Sequence, residues 1–127
     1  NKSNKIIGIC LGMQLFAGTS TENGFSKGLG LIPGAVKRIK NNKIHIGWNK
    51  INFKNNNSKL RKFDSEYFYF NHSYEYITDN QFKYFVSNFN SELASIIVNE
   101  NIIGLQFHPE KSQINGIKIF KTLVEEL

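Results

Sequence analysis

Lys5-Ile6-Ile7-Gly8-Ile9-Cys10-Leu11-Gly12-Met13-Gln14 changes character at its centre. The first half, Lys5 to Ile9, is a short apolar run of the kind that forms a buried strand. The second half, continued to Ala17, carries helix-forming residues with apolar positions at helical spacing. The one cysteine of the chain sits at the junction, inside Gly8-x-Cys10-x-Gly12. A strand that turns directly into a helix bends too sharply for bulky neighbours, and glycines on both sides of a nucleophile relieve the crowding. The side chain then stands above the sheet at the positive end of a helix, which lowers a thiol's pKa and favours the thiolate. The backbone N–H of Leu11 points to where an oxyanion would form. The alternative is an inert buried cysteine between two incidental glycines.

Thr19 to Gly34 reads as a glycine-rich loop closed by a Pro33-Gly34 turn. Ala35 to Ile39, Lys43 to Ile46, Lys50 to Phe53, Tyr67 to Phe70, Phe82 to Phe89 and Ala94 to Val98 read as strands. Ile102 to Phe107 follows as another, after a tight Asn99-Glu100-Asn101 connection. Lys54 to Lys62, with its three consecutive asparagines, reads as a surface loop. Gln113 to Leu127 places Ile117, Phe120, Leu123, Val124 and Leu127 on one helical face. No repeat or internal boundary is visible, so residues 1–127 are expected to form one domain, an α/β sheet with an antiparallel flap inserted. A strand that feeds an elbow is normally central in a parallel sheet, with neighbours on both sides. The sequence starts at that strand and without an initiator methionine, so an N-terminal portion is expected to be missing.

Composition narrows the function classes. The 127 residues are 40% apolar and 20% charged, enough for one domain with a core and typical of a soluble protein. No apolar run is long enough to span a bilayer, and the start, interrupted by Gly8 and Gly12, does not read as a signal peptide. One cysteine excludes an internal disulfide framework and points to a reducing compartment, the cytoplasm. One Cys and three widely separated His make a poor zinc site. The net charge of +6 comes from lysines spread among asparagines, not from a basic helix, so it argues for solubility and steering more than for nucleic acid.

A second chemical constellation lies far downstream, in Gln106-Phe107-His108-Pro109-Glu110-Lys111. Residues two apart on an extended segment point the same way, so the Glu110 carboxylate can orient the His108 imidazole. Alone, this is a His-Pro turn with a solvated glutamate. Together with the cysteine elbow it supplies nucleophile, base and orienter.

Gly8-Ile9-Cys10-Leu11-Gly12-Met13-Gln14, joined with Phe107-His108-Pro109-Glu110-Lys111-Ser112, resembles the class I (triad) glutamine amidotransferases. Gly28-Leu29-Gly30-Leu31-Ile32-Pro33-Gly34, His45-Ile46-Gly47-Trp48-Asn49 and Tyr69-Phe70-Asn71-His72-Ser73-Tyr74 are similar to the glutaminase subunits of imidazole glycerol phosphate synthase. The resemblance runs over essentially the whole chain. It implies a flavodoxin-like three-layer α/β fold without the family's N-terminal strands, including the glycine-containing loop that helps build the oxyanion hole. It further implies Cys10 as nucleophile, His108 as base and acid, and Glu110 as orienter. Glu22 stands where the family holds glutamine's α-amino group, Gly12 and Gln14 line the pocket, and the His72-Ser73-Tyr74 backbone meets the glutamine carboxylate. Trp48, Asn49, Tyr69 and Lys111 fall where the family contacts a (β/α)8 synthase subunit in a heterodimer. Read without the resemblance, Trp48 and Tyr69 are equally core aromatics, His72 a satisfied strand histidine and Lys111 a solvated charge.

The implied activity is hydrolysis of L-glutamine, with ammonia passed to the synthase for histidine biosynthesis and no metal or organic cofactor. Ile44 stands where these subunits usually carry proline before His45. That departure keeps open a related ammonia supplier for surface-sugar amidation. A non-catalytic binding domain with a relic elbow is the remaining alternative.

Overall fold

The computed structural model describes residues 4–55 and 59–126. Eleven strands form among them: β1 (Ile6–Ile9), β2 (Thr19–Ser20), β3 (Ser26–Lys27), β4 (Ala35–Arg38), β5 (His45–Lys50), β6 (Asn52–Phe53), β7 (Tyr67–His72), β8 (Tyr74–Ile77), β9 (Lys83–Asn88), β10 (Glu92–Asn99) and β11 (Ile102–Leu105). Two α-helices accompany them, α1 (Leu11–Gln14) and α2 (Gln113–Glu125), with single 3-10 turns between. The main sheet has the order β1-β11-β10-β9-β6, with β2, β3, β4 and β8 in a second sheet and β5–β7 in a two-stranded ribbon.

The apolar strands of the main sheet are buried on both faces, which is why they read as continuous runs without alternation. On β11, Ile103 and Leu105 enter one core, with Phe68, Phe70, Phe107, Ile119 and Leu123. Ile102 enters the other, with Met13, Phe16, Ile32, Val36 and Tyr76. Strand β10 changes phase midway: Ala94 and Ile97 share the second core, whereas Ile96 and Val98 face the first. A shift in the β10–β9 register between Ala94 and Ile97 absorbs the extra residue. At that bulge the Ser95 carbonyl accepts the Gln106 N–H at 2.9 Å. The bulge thereby fixes the stretch that leads into His108.

Several elements differ from the sequence expectations. The strands expected at Lys43–Ile46 and Lys50–Phe53 form as β5 and β6, with the break at Ile51 instead of Gly47 to Asn49. His45 to Lys50 pairs without a break against Tyr67 to His72, because ladder pairing outweighs the weak strand preference of Gly47 and Asn49. Strand β8, not expected from sequence, pairs antiparallel with β4. The 54–62 loop is described only outside residues 56–58 and ends in a 3-10 turn, Lys59–Phe63.

Helix α2 buries a face rotated from the one its sequence pattern marks, and of the expected residues that are described only Leu123 is fully buried. Gly116, Ile119, Thr122 and Leu123 are buried. Of the expected face, Ile117 is 66%, Val124 51% and Phe120 39% exposed, and Leu127 lies outside the described residues. The helix is apolar on two sides, and periodicity alone does not choose between them. The outer side borders an apolar groove formed by Ile9, Pro109, Gly116, Ile117 and Phe120.

Strand β1 pairs parallel with β11, Gly8 opposite Gly104, and forms the sheet edge among the described residues. The expected neighbours on both sides are therefore reduced to one within this stretch. An unpaired edge beside an exposed apolar groove invites intermolecular pairing. The isolated 127-residue chain is expected to self-associate as its concentration rises, measured by sedimentation velocity. A monomer that melts cooperatively at every concentration would show that edge and groove to be harmless.

Candidate active site

The elbow forms as its sequence indicates. The Cys10 N–H donates to the Leu105 carbonyl at 2.7 Å, the last strand-like bond of β1. Cys10 then adopts φ 54°, ψ −105°, a backbone conformation that a side chain occupies only when its surroundings enforce it. Gly8 supplies part of that enforcement: a Cβ there would lie 2.6 Å from the Gly12 carbonyl oxygen and from the Phe16 ring. Gly12 is different, since a Cβ there would meet nothing within 4 Å. The crowding at the turn is thus relieved on one side only.

The surroundings of the thiol favour its neutral form. Burial pushes the Cys10 pKa up, and the hydrogen bond from the Leu11 backbone only partly offsets it, with the Glu110 and Glu22 charges adding to the rise. The expected lowering by a helix end does not hold, because α1 is a single turn of four residues with little dipole to offer. The Cys10 Sγ sits 3.9 Å from the Asn71 carbonyl and 3.8 Å from Gln106 Nε2, contacts suited to a protonated thiol that donates to one and accepts from the other. Deprotonation must therefore come from a base.

His108, which lines the same cleft as the thiol, is the candidate base. Phe107 is fully buried, stacked on Phe68 at 4.3 Å and edge-on to Phe70 at 5.8 Å. Burying such a ring contributes about 3 kcal/mol, and it anchors the residue beside it. The His108 N–H donates to the Tyr69 carbonyl at 2.9 Å, and Ser112 Oγ, 2.7 Å from the His108 carbonyl, also accepts the Tyr69 N–H. The His108–Lys111 turn is thereby tied to β7. His108 Nδ1 lies 2.9 Å from Glu110 Oε2. The carboxylate accepts a hydrogen bond from Nδ1–H, which leaves Nε2 with its lone pair free.

These groups meet in one cleft of about 410 Å³, lined by Cys10, Leu11, Gln14, Glu22, Arg38, Asn71, His72, Ser73, Tyr74 and His108. Among the described residues, no group of three His, Cys, Asp or Glu is arranged to hold a metal ion, and no helix is long and apolar enough to cross a membrane.

The cleft brings together most of the residues singled out from sequence. Gly12 and Glu110 are not among its lining, Glu110 reaching it only through His108. Trp48 and Tyr69 lie opposite each other on the outer face of the ribbon, edge to face at 6.1 Å. Lys111 is exposed on the His108 turn, its N–H donating to the His108 carbonyl at 3.0 Å. Asn49 points the other way from Trp48, onto His45 at 2.9 Å. Sequence reasoning missed Arg38, Asn71, Gln106 and His45. Arg38 carries no motif of its own, whereas Asn71 and Gln106 lie in the quoted stretches before His72 and His108 but were given no role there. The signal for His45 was its place in the Gly-Trp-Asn stretch.

The family model for glutamine amidotransferase class-I matches residues 2–125. The chain belongs to the class-I glutamine amidotransferases. Its similarity to imidazole glycerol phosphate synthase subunit HisH of Listeria innocua is 40% identity over 124 residues, covering 94% of this chain and 60% of that protein. Against the same-named subunit of Caldanaerobacter subterraneus it is 40% over 129 residues, covering 98% and 63%. The chain thus spans about three fifths of the length of these relatives. Among solved structures, a chain of PurLQS from Thermotoga maritima superposes with a TM-score of 0.71 at 19% identity, covering 96% of this chain and 61% of that one. A glutamine amidotransferase of Thermotoga maritima gives 0.63 at 23% identity, covering 94% and 46%. Both share the fold of this amidotransferase, which accounts for the mixed sheet with a core on each face.

Proposed function

We propose that this amidotransferase hydrolyses L-glutamine and delivers the ammonia to a synthase subunit that makes imidazole glycerol phosphate and an aminoimidazole ribotide in histidine biosynthesis. The observation that carries the chemistry is the single cleft in which a cysteine on a strained turn shares its walls with a histidine held by a glutamate at 2.9 Å. The histidine pathway is supported by the relatives' names at 40% identity.

In this mechanism His108 Nε2 takes the thiol proton as Cys10 Sγ attacks the side-chain amide carbon of glutamine. The oxyanion that develops meets the Leu11 N–H, which already faces the sulfur. His108 returns its proton to the departing nitrogen, and ammonia leaves. A glutamyl thioester remains on Cys10. Water, deprotonated by His108, hydrolyses it to glutamate and restores the thiol. Glu22 at the cleft wall matches the α-amino group of glutamine, and the His72-Ser73-Tyr74 segment together with Arg38 matches its carboxylate. The resting thiol fits a glutaminase that waits for its partner.

The (β/α)8 synthase docks on the face that carries Trp48, Tyr69 and Lys111. Aromatic residues supply most of an interface's binding energy, and the Lys111 charge sets orientation. Lys111 shares a turn with His108, so docking is felt at the base directly. The test is glutaminase turnover of the intact protein with and without the histidine-pathway synthase. Lys111→Ala is expected to lower the ratio of stimulated to basal turnover about tenfold, within the usual range of coupling between sites. An unchanged ratio with unchanged affinity would return Lys111 to an ordinary surface charge, and no stimulation of the wild type would dismiss the partner.

A further inference from the structure

Beneath the outer face of the β5–β7 ribbon runs a buried chain of hydrogen bonds that the mechanism above does not use. Its directions are fixed from one end. The Tyr74 carbonyl can only accept, so His72 Nδ1, 2.7 Å away, carries a proton. A neutral His72 then presents a bare Nε2, and His45 Nδ1 donates to it at 2.7 Å. His45 Nε2 is bare in turn and accepts from Asn49 Nδ2 at 2.9 Å. Asn49 is itself held: its amide nitrogen also donates to the Asn88 carbonyl at 3.1 Å, and its oxygen accepts the Lys50 N–H at 2.7 Å. A proton added to either imidazole would set two donors face to face. Burial first, and then the neighbouring imidazole, lowers the His45 pKa to about 3. Burial also lowers that of His72 to about 4, against the pull of the Tyr74 carbonyl.

The chain continues to the thiol. The Tyr74 carbonyl accepts a second bond, from Gln14 Nε2 at 3.1 Å. Gln14 also donates to Gln106 Oε1 at 3.2 Å, and Gln106 Nε2 reaches the Cys10 sulfur. The Asn71 carbonyl faces the same sulfur from the start of the segment. His45 is 2% exposed and sandwiched between Phe70, at 4.3 Å, and Phe89, at 4.7 Å. Among the described residues no buried side-chain nitrogen or oxygen lacks a partner, so removing one link strands another.

We propose that His45 is a positioning residue for glutamine: through His72 it holds the 71–74 segment, which walls the cleft of Cys10, in the shape that receives the substrate. The proposal rests on the glutaminase reading and deepens it. In the intact protein, two variants separate ring from hydrogen bond. His45→Phe keeps the stacking and removes the donor; His45→Asn offers an amide donor toward His72. The measurement is inactivation by the glutamine analogue diazo-oxo-norleucine, resolved into a concentration for half-saturation and a maximal rate. Iodoacetamide, which needs no glutamine pocket, reports the thiol alone.

His45→Phe is expected to raise the half-saturating concentration about tenfold, the scale of one buried hydrogen bond, with maximal rate and iodoacetamide reactivity within about twofold of wild type. His45→Asn is expected to recover most of that loss. A merely structural role would lower the melting temperature and the labelled fraction while leaving half-saturation unchanged. That result, or no recovery by His45→Asn, overturns the proposal while leaving the glutaminase reading intact. A wild type that diazo-oxo-norleucine does not label overturns both. The relay has its own signature: imidazole 15N shifts should show both rings neutral and protonated on Nδ1 at pH 6, and a charged or Nε2-protonated ring at either position refutes it.

Discussion

Cys10→Ala in the intact protein, assayed with the proposed synthase partner, is expected to reduce glutaminase turnover by about 10⁴- to 10⁶-fold, the range seen when one member of a catalytic unit is removed. His108→Ala is expected to fall in the same range, and the double variant no further, because nucleophile and base act on a single proton transfer. The structural reason is the resting state of the thiol. Burial raises its pKa, and in the proposed mechanism His108 makes the thiolate at the moment of attack. Diazo-oxo-norleucine should add to the wild-type protein at Cys10, the only cysteine of these 127 residues, and mass spectrometry reads the adduct. Labelling that survives Cys10→Ala, or full turnover in His108→Ala, would dismiss the assignment.

Gly116→Ala is expected to have the largest effect on stability. A Cβ at Gly116 would stand 1.8 Å from the Pro109 carbonyl oxygen, with two further backbone atoms of Pro109 within 3.0 Å. No rotamer relieves a clash between a Cβ and a backbone, so α2 and the Pro109 turn must separate. Overpacking of this kind costs about 3 kcal/mol, or about 10 °C in melting temperature for a domain of this size. The displaced turn also carries His108 and Glu110, held at 2.9 Å, so residual turnover should fall with stability. Thermal denaturation checks the first claim and turnover well below the melting point checks the second. A melting temperature within about 2 °C of wild type would show that helix and turn separate freely.

Much of the chemistry was legible because it is local. The elbow follows from a strand, a glycine and a helix start within five residues, and the structure realises it with Gly8 pressed against Gly12 and Phe16. The His108–Glu110 pair follows from a two-residue spacing. The error at the thiol arose because its pKa depends on how much protein surrounds it and on the length of α1, neither of which is a property of the motif. Helix α2 shows the same division. Its sequence is apolar on two sides, and the buried side is chosen by Phe63 and Phe68 packing against Ile119 and Leu123.

By itself the sequence determined the positions where steric and covalent constraints act over a few residues: the sharp turn at Cys10, the His-Pro-Glu turn and the apolar strands. The tertiary structure decided which distant residues face that turn. Asn71 and Gln106 reach the sulfur because β7 and the bulged β10 place them there. His45 meets His72 because the ribbon register sets them opposite each other, 27 residues apart in the chain. Strand pairing is a long-range choice made by the burial of whole faces, and a motif of five residues carries no record of it.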